Sequence, residues 1–228
     1  MTEVKPIIAV LGGSGKEGSG LAFRWAHAGF PVIIGSRDSA RAATAAAELN
    51  QLLGDRATVT GQSNMDAANK AGIVVLAVPY AAQRSTAMAV KEALAGKILI
   101  DVTVPLAPPK VDRVQLPEGG SAVLRLQGEL GVDVRVVSAF QNVSAVHLKD
   151  LDHHIDCDVL VCGDDADARE QTVRLAEAAG MVAWHAGPLA NSAASEALTS
   201  VLIAINKRYK ISGSGIRITG LPDSNRGV

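Results

Sequence analysis

Aromatic side chains are nearly missing from this sequence: Phe, Trp and Tyr together make up 3% of its 228 residues. An all-β sandwich draws on such residues for its core. The shortage, with Ala, Val, Ile, Leu and 22 Gly in their place, points instead to helices packed closely on a parallel sheet, the α/β class. Neither sign of charge dominates, since 22 Lys and Arg stand against 23 Asp and Glu. No field therefore steers the chain to nucleic acid or to a membrane surface. Long apolar runs are absent too. MTEVKPIIAVLGGSG meets glycines after a short run, and Leu198 to Ile205 is far shorter than a bilayer span, so a cytoplasmic protein is expected. Cysteine is scarce: Cys157 and Cys162 share one stretch and are expected as reduced core thiols, not as a disulfide.

What is present is alternation. Apolar runs bounded by turn residues predict strands at Ile7 to Leu11, Pro31 to Ile34, Thr58 to Thr60, Ile73 to Val78, Ile98 to Asp101, Val134 to Ser138, Asp158 to Cys162 and Val182 to Ala186. Alanine-rich helices are predicted between them at Ser19 to Ala28, Ser39 to Leu53, Asn64 to Ala71, Ala82 to Leu94, Ser121 to Leu130 and Ala166 to Ala179, with a last one from Asn191 to about Tyr209. Asp101 to Gly120 carries four of the nine prolines and reads as a long loop leaving the fifth strand, where ligand crevices lie. ISGSGIRITG reads as a glycine-hinged tail.

The first strand runs straight into GGSGKEGSG and a helix. Gly13, Gly15 and Gly18 satisfy G-x-G-x-x-G in the setting that gives it meaning, after a buried strand and at the opening of a helix. Gly13 is expected to allow the tight turn, Gly15 to let a pyrophosphate approach, and Gly18 to let helix and strand pack. Ser14, Lys16 and Glu17 would then face the anion. The fold predicted is a Rossmann-type doubly wound, mostly parallel sheet with a small C-terminal helical extension. Residues 1–140 would form an NADP-binding domain; residues 141–228 would complete the sheet and the substrate cleft and contribute a dimer contact.

A carboxylate commonly ends the second strand of an NAD site and holds the ribose hydroxyls. Here the tip is Gly35-Ser36-Arg37. Ser36 can donate to a 2′-phosphate, Arg37 can form a charge-assisted fork, and Arg41 would face the same pocket one turn on. Asp38 could take the acidic role at a shifted position, but the following Ser and alanines favour a helix cap. The cofactor expected is NADP.

These residues resemble a known family. AVLGGSGKEGSGLAFRWA, VIIGSRDSAR, VVLAVPY, VLVCGDDADAR and especially AGPLANSAASEALTSVLIAIN look like NADPH-dependent coenzyme F420 reductases, also called 8-hydroxy-5-deazaflavin:NADPH oxidoreductases. The resemblance covers nearly the whole chain. It implies hydride transfer between nicotinamide C4 and deazaflavin C5, with both rings stacked in a cleft at the strand ends. It implies NADP contacts at Ser14 to Glu17, Ser36, Arg37 and Arg41, and further cofactor contacts at Tyr80, Arg84, Leu106 and near Ala145. Gln141, Asn142 and Ser214 are the candidates for the deazaflavin. Gln141, Ser144 and Tyr80 stand where histidine, proline and tryptophan are familiar, and Gln141 cannot supply a titrating proton. Hydride transfer between bound cofactors rests mainly on alignment, so no acid-base residue is required.

Lys207, Arg208, Lys210, Arg217 and Arg226, opposed only by Asp223, could attract the acidic deazaflavin tail, although each also reads as an ordinary surface cation. HHIDCDVLVCGDD has metal-ligand residue types but neither Cys-x-x-Cys nor His-x-x-x-His, so no metal is expected and Asp164 or Asp165 reads as a helix cap. The apolar face from Ala194 to Ile205 suggests a homodimer, with folding back onto the chain's own sheet as the alternative. Two other functions fit the same fold: an NADP-dependent reductase of a small carbonyl or imine, needing a titratable donor such as His147, His153 or His154, and a non-catalytic NADP(H) sensor.

Overall fold

A computed structural model describes residues 4–56 and 58–220. The eight strands are β1 (Ile8–Leu11), β2 (Val32–Ser36), β3 (Val59–Ser63), β4 (Ile73–Leu76), β5 (Ile98–Asp101), β6 (Arg135–Ser138), β7 (Val159–Gly163) and β8 (Ala183–His185), each overlapping a predicted run, with β3 reaching three residues past Thr60. They line up in the order β3-β2-β1-β4-β5-β6-β7-β8. Every neighbouring pair is parallel except β6 and β7. Ile8 sits between Val32 and Ile73, so the central strands share one level and end together. The strand order reverses between β1 and β4, the point at which a parallel sheet opens a crevice.

Alternation along β1 divides the core. Ile8 and Val10 join the layer of α1 (Lys16–His27), α2 (Ser39–Leu53) and α7 (Ala166–Ala178), which contributes Leu21, Trp25, Leu49 and Leu175. Ala9 and Leu11 meet the opposite layer, formed by α3 (Asn64–Lys70), α4 (Tyr80–Ala89), α5 (Lys91–Leu94) and α6 (Ala122–Leu130), through Ala67, Ala87, Leu94 and Leu126. Each large apolar side chain so buried contributes about 1.5–3 kcal/mol. Trp25, one of the few aromatics, meets Phe140 edge-on at 5.9 Å and donates its indole N–H to Leu175 O at 2.8 Å.

Two expectations need adjusting. The helix expected over Ala82 to Leu94 is two helices, broken at Val90, whose φ of −120° leaves the helical region while its side chain stays buried. The first helix begins at Lys16 and not at Ser19, which brings Glu17 and Gly18 into its opening turn. The long loop after β5 is free of regular structure from Val102 to Ser121, as its prolines require. The last helix, α8 (Ser192–Tyr209), lends Thr199, Leu202, Ile203 and Asn206 to the crevice lining and is followed by a tail without helix or strand over residues 211–220.

Candidate active site

The crevice starts at the glycine loop. Gly12 adopts φ +82°, donates to Gly35 O at 3.1 Å, and has so little room that a Cβ would collide with Ala77 O. The residue that makes the turn is therefore Gly12 and not Gly13, as the motif spacing suggested. Gly13 has no positive φ; it is glycine because a Cβ would sit 2.7 Å from Ile34 Cδ1. Gly18 serves packing, since its added Cβ would lie 3.0 Å from Ala77 Cβ and from the loop backbone. Gly15 caps α1 without a side chain. The N–H groups of Lys16, Glu17 and Gly18 thus open the helix with no carbonyl ahead of them, which is the physical basis of an anion site.

Beside this loop lies the tip of β2. Asp38 accepts from Ala40 N at 2.9 Å and Arg41 N at 3.3 Å, so it caps α2 and is committed to that role. Ser36 Oγ accepts from Asp38 N at 3.2 Å. Arg37 and Arg41 are exposed, and among the described residues neither guanidinium has an ion-pair or hydrogen-bond partner.

On the other side of the loop, at the ends of β4 and β5, opens a cavity of about 720 Å³. Gly15, Lys16, Glu17 and Tyr80 line one wall; Leu106, Gln141, Asn142 and Ala145 line another; Ser214 closes it from the tail. Ser14, Gly13 and Gly18 build the loop without lining this cavity, and Ser36, Arg37 and Arg41 lie outside it on the β2 side. Arg84 also lies outside. One turn beyond Tyr80 it faces α6 and pairs with Glu129 at 2.5 Å.

Behind Thr103 and Gln141 of the cavity lining lies a polar, buried layer. Asp101, wholly buried at the end of β5, accepts from Gln83 Nε2 at 2.6 Å and Thr103 N at 2.8 Å. Burial nevertheless pushes its carboxyl up to about 6. Glu17 keeps partial exposure, but enclosure of its carboxyl, and secondarily the Asp101 charge, pushes it up to about 8. Gln141 and Asn142 are 2% and 3% exposed. Their amides donate to Asp101 O and Asp158 O at 2.8 Å each, which leaves Gln141 Oε1 and Asn142 Oδ1 buried without partners. Such orphaned acceptors beside a cavity suit a ligand that brings N–H or O–H groups. Thr199 donates to Gln141 O at 2.7 Å, and Ser214 N to Asn206 Oδ1 at 2.9 Å, so α8 and the tail hold this wall.

Several residues that matter were not picked out from the sequence. Glu196 of α8, 1% exposed, accepts from Ser121 Oγ, Ala122 N and Val123 N at 2.6 to 3.1 Å and so caps α6 from another element. Arg24, 6% exposed, reaches from α1 to backbone carbonyls more than a hundred residues away. The signal for both was a charge placed within an otherwise small or apolar stretch. Of the basic tail, Lys207 pairs with Asp112 and Arg217 with Asp156, while Arg226 and Asp223 lie outside the described residues. Asp165 caps α7 through Ala168 N at 2.7 Å. Both cysteines are free and buried.

A doubly wound sheet, a glycine loop opening a helix and a cavity at the switch point define a dinucleotide-binding oxidoreductase scaffold. Residues 7–105 match the family described as NADP oxidoreductase, coenzyme F420-dependent. The F420-dependent NADP reductase of Methanocaldococcus jannaschii is 42% identical over 221 residues, covering 94% of this chain and 98% of that protein. That of Methanothermobacter thermautotrophicus is 42% identical over 227 residues, covering 95% and 96%. A crystal structure from Arthrobacter sp. FB24, provisionally described as an F420-dependent NADP reductase, superposes with a TM-score of 0.77 at 27% identity, covering 94% of this chain and all of that one. The chain belongs to the F420-dependent NADP reductase family.

Proposed function

We propose that this chain moves a hydride between NADP(H) and the deazaflavin coenzyme F420. The observation that carries the reading is the division of the crevice. A glycine loop and two unpartnered arginines occupy its β2 side, and a cavity with two orphaned amide oxygens occupies its β4 and β5 side. When bound, NADPH supplies the hydride at nicotinamide C4 and F420 receives it at C5.

The chain's own residues bind, orient and exclude water. The first-turn N–H groups of α1 hold the pyrophosphate, and Ser36, Arg37 and Arg41 hold the 2′-phosphate. Glu17, raised to about 8, remains protonated near neutral pH and so does not repel the dinucleotide. Tyr80, Leu106 and Ala145 wall the ring-binding cavity, while Gln141, Asn142 and Ser214 offer it polar contacts. Their task is alignment of two reactants, which can be worth about 7–11 kcal/mol of the barrier.

Residues 1–140 supply the NADP side, and residues 141–228, together with Leu106, supply the second wall. Among the described residues no helix is long and apolar enough to cross a membrane. A cytoplasmic setting fits two free cysteines. A homodimer fits α8, whose Val201 is 45% exposed and whose Leu198 and Ile205 are only partly covered.

Mixing the purified chain with NADPH and oxidised F420 tests the reading. Loss of deazaflavin absorbance at a rate proportional to enzyme is expected. Bound NADPH without bleaching would overturn it; consumption of NADPH with imines or carbonyls alone would favour a small-molecule reductase.

A further inference from the structure

The segment after Asn142 runs through VSAVHLKDLDHH to β7 with no helix or strand of its own. Arg24 fixes it from beneath. Its Nε donates to Leu148 O at 2.9 Å, Nη1 to Ala179 O at 3.1 Å, and Nη2 to Asp150 O at 2.7 Å, with His147 O and His153 O at 3.3 Å each. Leu148 is seated so closely on Gly20 of α1 that a Cβ there would collide with it. The 147–153 backbone is therefore a framed loop.

On that frame His147, Asp150 and His153 converge. One ligand atom from each lies within 4.8 Å of the others, and the two imidazoles stack at 3.8 Å with 20° between their planes. We propose that His147, Asp150 and His153 form a binding site for a divalent transition ion of the zinc class, separate from the hydride site.

The donor set suits such an ion: two imidazole nitrogens and one carboxylate, leaving a fourth position for water. Ligands at about 2.0–2.1 Å around a tetrahedral centre stand about 3.4 Å apart. The observed separations are wider than this, and the two stacked rings must turn out of parallel for both nitrogens to face one ion. His147 is partly exposed and Asp150 and His153 are exposed, so an ion has a path of entry. Asp150 Oδ1 accepts from Asp152 N and His153 N at 3.2 Å each, which orients the carboxyl. The Arg24 charge is shared among five carbonyl oxygens and faces the Asp150 carboxylate.

Spacing rules built on His-x-x-x-His and Cys-x-x-Cys pass over this His-x-x-Asp-x-x-His set, which a folded loop and not a helix face brings together. Its consequence is mechanical. The same segment carries Ser144 and Ala145 of the cavity wall, and His147 Cδ2 would lie 3.4 Å from a Cβ placed on Gly213 of the tail. An ion here would tie that wall together.

The test is calorimetric titration of the chelator-stripped full chain with zinc chloride, repeated with cobalt(II) for its visible ligand-field bands. One ion per chain and a raised thermal midpoint are expected. Loss of outer partners of a metal already costs about 10–100-fold in affinity. His147→Gln and His153→Gln should therefore each weaken binding by at least about tenfold. Asp150→Asn, which keeps the acceptor for the two backbone N–H groups, should weaken it too, and decides the matter if a histidine variant fails to fold. His185→Gln, outside the cluster and paired with Glu170, should leave binding intact. Absence of saturable binding, binding unchanged in the site variants, or equal loss in His185→Gln would overturn the proposal.

Discussion

Replacing Glu17 by glutamine isolates the one titratable side chain that lines the cavity and carries a strongly displaced proton affinity. Its carboxyl is raised from 4.5 to about 8 by burial first and the Asp101 charge second. A group whose folded-state pKa is raised favours the folded protein while protonated. That contribution is complete below pH 4.5 and is lost as pH rises toward and through about 8. At about 1.36 kcal/mol per unit the full displacement would be worth about 5 kcal/mol. Glu17 keeps contact with water at the cleft, and that screening reduces the figure to about 2–3 kcal/mol. The amide of the Glu17→Gln variant would be neutral throughout. Urea unfolding of both proteins from pH 4 to pH 9 should therefore give equal stabilities at the acid end. At the alkaline end the variant should be more stable by about 2–3 kcal/mol. Asp101, raised to about 6, titrates in both proteins and cancels from the difference. A difference that stays flat across this range would refute the reasoning. The same charge should also weaken NADPH binding to the parent above pH 8, and not to the variant.

Arg24→Met removes the donor to five backbone carbonyls and should cost about 3–5 kcal/mol in urea unfolding; a cost below about 1 kcal/mol would mean that water replaces the guanidinium. Gly12→Ala forces a side chain into φ +82° and against Ala77 O and Val78, so stability should fall by about 2 kcal/mol or more and NADPH titration should show weakened binding. Arg37→Glu should raise the NADPH dissociation constant by about 10–100-fold with little effect on NADH. Equal losses would contradict a 2′-phosphate site at the β2 tip.

Local signals carried most of the fold into the sequence. Each parallel strand is an apolar run because both its faces are covered, and each loop is marked by Gly, Pro or Asp. Asp38 before a run of alanines could be read as a cap because a cap is made within three residues. Gly12 was harder, since the motif marks which glycines recur but not which one turns, and that depends on Ala77 at the end of another strand. Arg24 and Glu196 stood out only as charges within small or apolar stretches; their partners, like the paired environment of Glu17 and Asp101, were illegible for the same reason. Their partners lie 73 to 155 residues away or in a cavity formed by several elements, and sequence neighbours say nothing of that. Arg84 shows the converse: the resemblance implied a cofactor contact, and what the fold adds is a partner 45 residues away, Glu129.

Direct hydride transfer between two ligands aligned in one crevice is the central claim. NADPH carrying deuterium at the transferred C4 position, turned over with oxidised F420 in ordinary water, tests it most directly. Direct transfer predicts one deuterium at C5 of the reduced deazaflavin and none released to solvent. Deuterium in the water, or a reduced deazaflavin without label, would contradict it.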